Sequence, residues 1–474
     1  MPFKSFVVSL VMLVVSALAS AAPPAQTDVL IVGAGLSGLA TAYQLRKAGL
    51  SYHILELTPR IGGRVRTVRY EIDGEEVYAD SGMEEYWESN PAVKILEDLK
   101  LPVRGDVALS SLVVQKKLYA LGDEDRPEFL KKILSGKGYA ALEKFKTKVS
   151  PMVHEIHSAK GPGPALMKLK DVAFSKWVAD QKLPPAVADW IRVSLECEIG
   201  TEWNRISALD GLAEFHIFLG EGEKSYRVLG GNEKFTDALA KAVGHAQISL
   251  NKKVNRIVTR DGKVSVYYLD TQTNESAVVR AKHVVSTIPL YRVPLDVQFE
   301  PPLSAQKLQA ISSQTWGAYF KAHIFLNKPA ERFWINGDAS MLPLLSDSEL
   351  GVIYDANPDQ NAKTRVVSLL VTGSVAEAFN LMPLDLVRAR IGSRLEKLWP
   401  GISKEVKGME FYRFHPRAIA SWPVGRSRYD TLSNALRQPE NGVYFAGDFT
   451  ESTHSDGAFI SAARVAKQIV GEKK

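Results

Sequence analysis

Residues 28–57, "DVLIVGAGLSGLATAYQLRKAGLSYHILEL", read as a strand, a glycine-rich turn, a helix and a second strand. The apolar run 29–32 ends at Gly33, the helix begins near Leu36, and Gly49 punctuates its end. Gly33, Gly35 and Gly38 make G-x-G-x-x-G at the strand-to-helix junction, and Glu56 closes the next strand 23 residues after Gly33. In such a unit the first glycine permits the tight turn, the second lets the backbone approach a pyrophosphate, and the third packs helix on strand. The helix N-terminus adds amides and positive potential, and the acid accepts hydrogen bonds from the adenosine ribose. The stretch predicts a Rossmann-like dinucleotide-binding domain at the front of an α/β protein.

Working outward, residues 60–67, "RIGGRVRT", add a second glycine-rich loop, cationic through Arg60 and Arg64, suited to phosphate and a flavin-ribityl chain. Asn90 is placed to cap a helix, and the stretch from about 127 to 158 has helical spacing, interrupted by "GPGP" at 161–164. Helix and short strand patterns resume from residue 230, with strand candidates in 247–258, 263–270, 283–289 and 319–326 and an amphipathic helix over 384–399.

The chain has 474 residues, 45% hydrophobic and 24% charged, which is ordinary for a folded protein too long for one simple core. Its formal charge is +6, but Lys and Arg are spread without a stripe, so nucleic acid is not an expected partner. The single cysteine, Cys197, excludes an internal disulfide and a Cys-based zinc cluster, and no metal is expected. Lys4, the apolar run 6–18 and the small residues of "ALASAAPP" predict a signal peptide over 1–22. Neither a twin Arg before the run nor a lipoprotein Cys after it is present. The expected location is secreted or periplasmic, with no stable membrane span after cleavage.

With both glycine loops in place, the sequence resembles the flavin amine oxidase superfamily over nearly the whole mature chain. At the C-terminal end, "VYFAGDFTE" (443–451) and "DGAFISAARVA" (456–466) look like the family's second FAD segment. The resemblance places Gly447 and Asp448 beside the ribityl chain, although many relatives have Glu at the latter, and Gly457 and Ala458 near the pyrimidine edge. It places the loop glycine Gly82, with Met83, beside the flavin, and the backbone of Val254 at adenine, where a buried strand valine reads equally well. No Cys lies near the C-terminal site, so the implied FAD is non-covalent.

"WGAYFKAHIFL" (316–326) resembles the segment carrying the family's lysine, here Lys321, which reaches flavin N5 through water. "SWPVGRSRYD" (421–430) resembles the "WPVG" and "RY" pattern of polyamine oxidases, which makes a polyamine the favoured substrate. The same comparison sets Tyr319 and Glu198 around the amine, with Glu198 alternatively bridged to Arg192 or Arg205. Residues 71–88 hold eight carboxylates and no Lys or Arg. Glu71, Glu75 and Glu76 read as a solvated hairpin around Asp73 and Gly74, while Glu84, Glu85 or Glu88 could form an acidic entrance with Glu198 that attracts a polycation. Glu85 stands where L-amino-acid oxidases place a carboxylate-binding arginine, and an acid there favours a second ammonium. At the two aromatic positions flanking the flavin this chain has Ile419 and His454. His454 reads as a cage substitute, a proton acceptor or a loop histidine, and Trp422 and Phe459 as possible cage contributors or core residues.

The expected architecture is a two-domain FAD amine oxidase fold: a discontinuous FAD domain (27–83, 226–300, 410–474) and an α+β substrate domain with a helical insertion (84–225, 301–409). The implied reaction passes a hydride from the amine's α-carbon to flavin N5; the imine hydrolyses to aldehyde plus amine, and dioxygen becomes hydrogen peroxide. An L-amino-acid oxidase, with Arg417 or Arg426 as carboxylate binder, and a non-catalytic FAD-binding envelope protein are the alternatives.

Overall fold

The computed structural model describes residues 22–106, 109–219, 223–337, 339–413 and 416–471. But for residue 22, the predicted signal segment lies outside them. The opening stretch forms strand Gln26–Val32, helix Leu36–Lys47 and strand Tyr52–Leu55. The two strands pair in parallel, and Ser276–Ser286 and then Val443–Phe445 continue the parallel sheet on the other side. Val32, Leu55, Ser286 and Phe445 therefore end at one edge, the place where open α/β sheets bind ligands. Ile248–Ser249, the antiparallel strands Lys252–Arg260 and Lys263–Asp270, and Gln298–Glu300 complete eight strands.

Strand period two explains why the first strand is apolar throughout: Val29 and Ile31 point to one buried cluster, Leu30 and Val32 to another. Helices Leu36–Lys47, Glu233–Val243 and Ser455–Gly471 cover the first face through Leu39, Phe235, Leu239, Val465 and Ile469. Helix Ala305–Ser312 covers the other face through Ala310 and Ile311. That corrects the expected boundary at residue 301, because the chain stays with the first sheet through this helix.

A second sheet of seven strands runs Val406–Tyr412, Tyr319–Asn327, Thr364–Thr372, Val352–Asp355, Leu344–Ser346, Ser111–Val114 and Lys117–Tyr119. Since Val406–Tyr412 belongs to it, the return to the first sheet follows residue 412 and not 410. In Tyr319–Asn327, Phe320, Ala322, Ile324 and Leu326 pack on helices Gly373–Leu381 and Leu384–Leu398. Alternation sends Lys321 and His323 to the opposite face, towards the hairpin Thr67–Ile72 and Glu75–Asp80.

The helical stretch predicted near 127–158 is helix Arg126–His157, capped by Asp125 and broken locally at Ser135, whose φ is 64°. It packs with helices Pro185–Ile199 and Ala208–Ala213 on the second sheet. Among the described residues no helix is long and apolar enough to cross a membrane, and no group of His, Cys, Asp and Glu is arranged to hold a metal ion.

Candidate active site

At the parallel edge of the first sheet, Gly33 turns the chain at φ 109°, a conformation that L side chains rarely adopt. The Gly62 amide donates to the Ala34 carbonyl at 2.8 Å, and a Cβ on Gly63 would sit 3.2 Å from the Gly35 Cα. The two glycine loops thus lie backbone to backbone, as a pyrophosphate cradle requires. Gly38 allows the helix to close on this turn: an added Cβ would lie 1.9 Å from the Gly33 carbonyl oxygen. Gly38→Ala should therefore cost about 1–3 kcal/mol of stability and lower FAD retention through purification. Full retention at unchanged stability would refute the close-packing role.

Glu56 is fixed beside the turn by the amides of Ala34, at 2.7 Å, and Thr58, at 2.9 Å. Arg60 differs from expectation. Its guanidinium donates to the carbonyls of Ile61, Gly63 and Val65, so it braces the second glycine loop from within. Arg64 holds Asp448 through two 2.7 Å hydrogen bonds; the carboxylate is buried while 47% of the arginine side chain remains open. Asp448 follows Gly447 at the end of strand Val443–Phe445, and Gly457 and Ala458 lie in the first turn of the last helix. Val254 stands at a bulge in its strand with its side chain in the core. The facing glycines, the fixed acid at the second strand end and the open arginine at the fourth fit FAD.

Lys321 is fully buried. Its ammonium donates to the carbonyls of Asp80 and Gly82 and pairs with Glu84, each at 2.6 Å. Glu84 is thus removed from the expected acidic entrance, and Glu88 is exposed.

Glu85 and Glu198 are different. Glu85 accepts a 3.3 Å hydrogen bond from the Tyr354 hydroxyl, and Arg227 approaches no closer than 4.0 Å. Burial and the charge of Glu198 push Glu85 up to about 7 against the pull of Arg227. Glu198 accepts from Trp87 Nε1 at 3.1 Å and is also raised by burial. The alternative partners do not take it: Arg192 pairs with Asp189, Glu196 and Asp347, and Arg205 with Glu202 and Glu377. The Tyr319 hydroxyl donates to the Glu198 carbonyl, which holds that ring beside the acid.

His454 stands between two acids, with Nε2 3.0 Å from Glu214 and Nδ1 3.7 Å from Glu198. Burial opposes its charging, but Glu214 and then Glu198 outweigh it and raise the imidazole to about 9. Glu214 is anchored in turn by Arg428 and by the Thr453 hydroxyl at 2.9 Å. Trp87, His454, Glu214 and Arg428 also line a cavity of about 1030 Å³ whose outer wall carries His154 and His157. Arg227 and Glu214 were missed in the sequence, and Arg428 was quoted there only within the "RY" pattern. A charged residue in an otherwise apolar strand or helix, as in "SYRV" and "ALDGLAEF", was the available signal.

Of the two readings of Trp422 and Phe459, the structure has the core one for both, so Trp422 is not the substrate contact expected. Trp422 is 1% exposed, with Nε1 on Ser433 and Arg428 over its ring, inside the core of the first sheet. Phe459 stacks on Phe235 in the opposite core. The arginines considered for a carboxylate are also placed elsewhere: Arg426 is engaged by Asp430, and Arg417 is exposed over Tyr291.

Residues 36–470 match the family described as flavin containing amine oxidoreductase. Polyamine oxidase 1 of Zea mays is 26% identical over 481 residues, covering 93% of this chain and 90% of that protein. An L-amino-acid oxidase of Sistrurus catenatus edwardsii is 25% identical, covering 93% and 86%. A putrescine oxidase structure bound to putrescine superposes with a TM-score of 0.78 at 22% identity, over 95% of this chain and 100% of that one. Cyclohexylamine oxidase from Brevibacterium oxydans gives 0.75 at 20% identity, over 94% and 99%.

Proposed function

The chain belongs to the flavin containing amine oxidoreductase family and is an FAD-dependent amine oxidase, and from that premise we propose that it oxidises a polyamine outside the cytoplasm. The observation that carries the substrate class is the pair Glu85 and Glu198, two half-buried acids whose charges act on one another, with Arg227 no closer than 4.0 Å to the first and the His454 imidazole 3.7 Å from the second. A partly desolvated carboxylate so loosely paired is costly, and an incoming ammonium relieves that cost.

FAD, when bound, supplies the two-electron acceptor that dioxygen later reoxidises. The two glycine loops hold its pyrophosphate, Glu56 its ribose, and Arg64 with Asp448 its ribityl side. Glu85 and Glu198 take the distal ammonium groups, Tyr319 and Trp87 wall the chain between, and His454 keeps its Nε2 proton on Glu214. The reacting nitrogen must be neutral. A free alkyl amine has a pKa of about 10, and burial lowers it at the reacting end while the carboxylates preserve the charge at the other. The N-terminal apolar run after Lys4 supports export.

Anaerobic mixing of FAD-loaded protein with spermidine, spermine, putrescine, a monoamine and several L-amino acids tests the reading through loss of the oxidised flavin band. Bleaching is expected to be fastest with the polyamines. Fast bleaching by L-amino acids alone would overturn the substrate class in favour of an amino-acid oxidase.

A further inference from the structure

An ammonium has three protons, and all three of Lys321's have acceptors within the protein: Glu84 Oε1 and the carbonyls of Asp80 and Gly82. Both ends of this arrangement are held. Ser368 donates to the same Glu84 oxygen at 2.9 Å, and Asn232 Nδ2 donates to the Glu84 carbonyl at 2.7 Å. His323 Nε2 lies 3.1 Å from the Asp80 carbonyl, a pure acceptor, so that nitrogen carries the proton and Nδ1 accepts from the Tyr70 hydroxyl at 2.6 Å. The clamped loop then zips onto the cofactor cradle: the Gly82 amide donates to the Arg66 carbonyl at 3.2 Å and the Met83 amide to the Arg64 carbonyl at 3.1 Å. Gly82 is required there, since a Cβ would meet the Arg64 carbonyl at 2.1 Å.

We propose that Glu84 is a positioning residue that fixes Lys321 against the Asp80–Gly82 loop and withholds its charge and its third donor from the cofactor, so that it restrains the reaction with dioxygen. The inference rests on the proposed reading of the chain as an FAD-dependent amine oxidase and on the resemblance that sets Lys321 towards flavin N5. Reoxidation moves two electrons and two protons to one dioxygen, giving hydrogen peroxide. The first electron makes that molecule an anion, and a nearby cation favours the step only to the extent that no carboxylate cancels it. In this chain Glu84 cancels it.

Four variants test the idea: Glu84→Gln, Glu84→Asp, Lys321→Met and the double variant Glu84→Gln/Lys321→Met. FAD is reduced with dithionite before mixing with dioxygen, so the result does not depend on which amine is the substrate. Glu84→Gln is expected to reoxidise about 5-fold faster and to raise the midpoint potential of the bound FAD. Glu84→Asp should restore the wild-type potential. Lys321→Met should reoxidise more slowly, lower the potential and lose FAD, because it leaves Glu84 buried without its cation. The double variant should regain most of the FAD affinity. Unchanged reoxidation and potential in Glu84→Gln, or a double variant as defective in FAD binding as Lys321→Met alone, would overturn the proposal. A failure of every amine to reduce wild-type FAD would instead count against the substrate reading.

Discussion

Arg428→Met is expected to lower the unfolding free energy by about 3–5 kcal/mol, the range for removing one partner of a buried ion pair. Arg428 donates through Nε to Asp210 at 2.9 Å, through Nη2 to Glu214 and, at 3.0 Å, to the Thr453 hydroxyl, and it covers the Trp422 ring at 4.8 Å. No side chain of the three charged residues is more than 5% exposed, so solvent screens little of the interaction. Asp210 lies in the first turn of helix Ala208–Ala213 and Glu214 caps its C-terminal end, while Arg428, Thr453 and His454 come from the returning C-terminal segment, so the network locks the helical region to the cofactor domain. Burial disfavours the Glu214 carboxylate, but Arg428 and then His454 hold it well below the usual carboxylate range. A depressed acid stabilises the fold above its unfolded pKa and loses that contribution as pH falls through the folded one. Arg428→Met should thus lose most at neutral pH and converge on wild type in acid, and Arg428→Met/Glu214→Gln should regain part of the loss. Denaturant unfolding at two salt concentrations and across pH checks this. A deficit below about 1 kcal/mol, or one that vanishes in salt, would show the network to be effectively solvated.

What the sequence disclosed and what it withheld divide along the range of the interactions. The turn at Gly33, the helix behind it and the acid Glu56 are local, so period, glycine spacing and strand length announced them. The strand bearing Lys321 was equally legible, since alternation in "YFKAHIFL" sets its face. Its partner was not. Glu84 and Lys321 are brought together by the packing of a hairpin against a separate sheet, and nothing in "GMEEYW" distinguishes the acid that pairs with the lysine from its neighbour Glu85. Trp422 failed for a related reason: a tryptophan in a motif shared with polyamine oxidases reads as a site residue, whereas its ring is closed over by Arg428 and Ser433. Arg60 reads as a phosphate ligand because a cation beside glycines has two uses, and here it also donates to the carbonyls of its own loop.

Glu85→Gln/Glu198→Gln is expected to lower kcat/KM for spermidine or spermine by about 10²–10⁴-fold, each charge-assisted hydrogen bond to an ammonium contributing about 1.5–3 kcal/mol. A monoamine reaches neither acid with a second charge, so its kcat/KM should change by less than about 3-fold. The pH dependence separates this reading from a general loss of the site. Burial raises Glu85 to about 7, with Arg227 opposing and Glu198 and Glu84 assisting, and the Tyr354 hydroxyl and Ser225 complete its surroundings. Below that pH Glu85 is protonated and holds no ammonium; above it the carboxylate is available. Deprotonation of the reacting nitrogen is common to both substrates and cancels in a ratio. The ratio of KM for the polyamine to KM for the monoamine should therefore fall as pH rises from about 6 to about 8 in wild type, fall less in Glu85→Gln, and be flat in Glu85→Gln/Glu198→Gln. Because a raised carboxyl favours the fold most when protonated, stability moves the opposite way, decreasing slightly over the same window. A ratio that stays constant in wild type, or equal losses for both amines in the double variant, would sink the acidic-pair assignment and leave Glu85 and Glu198 as partners of Arg227 and His454 alone.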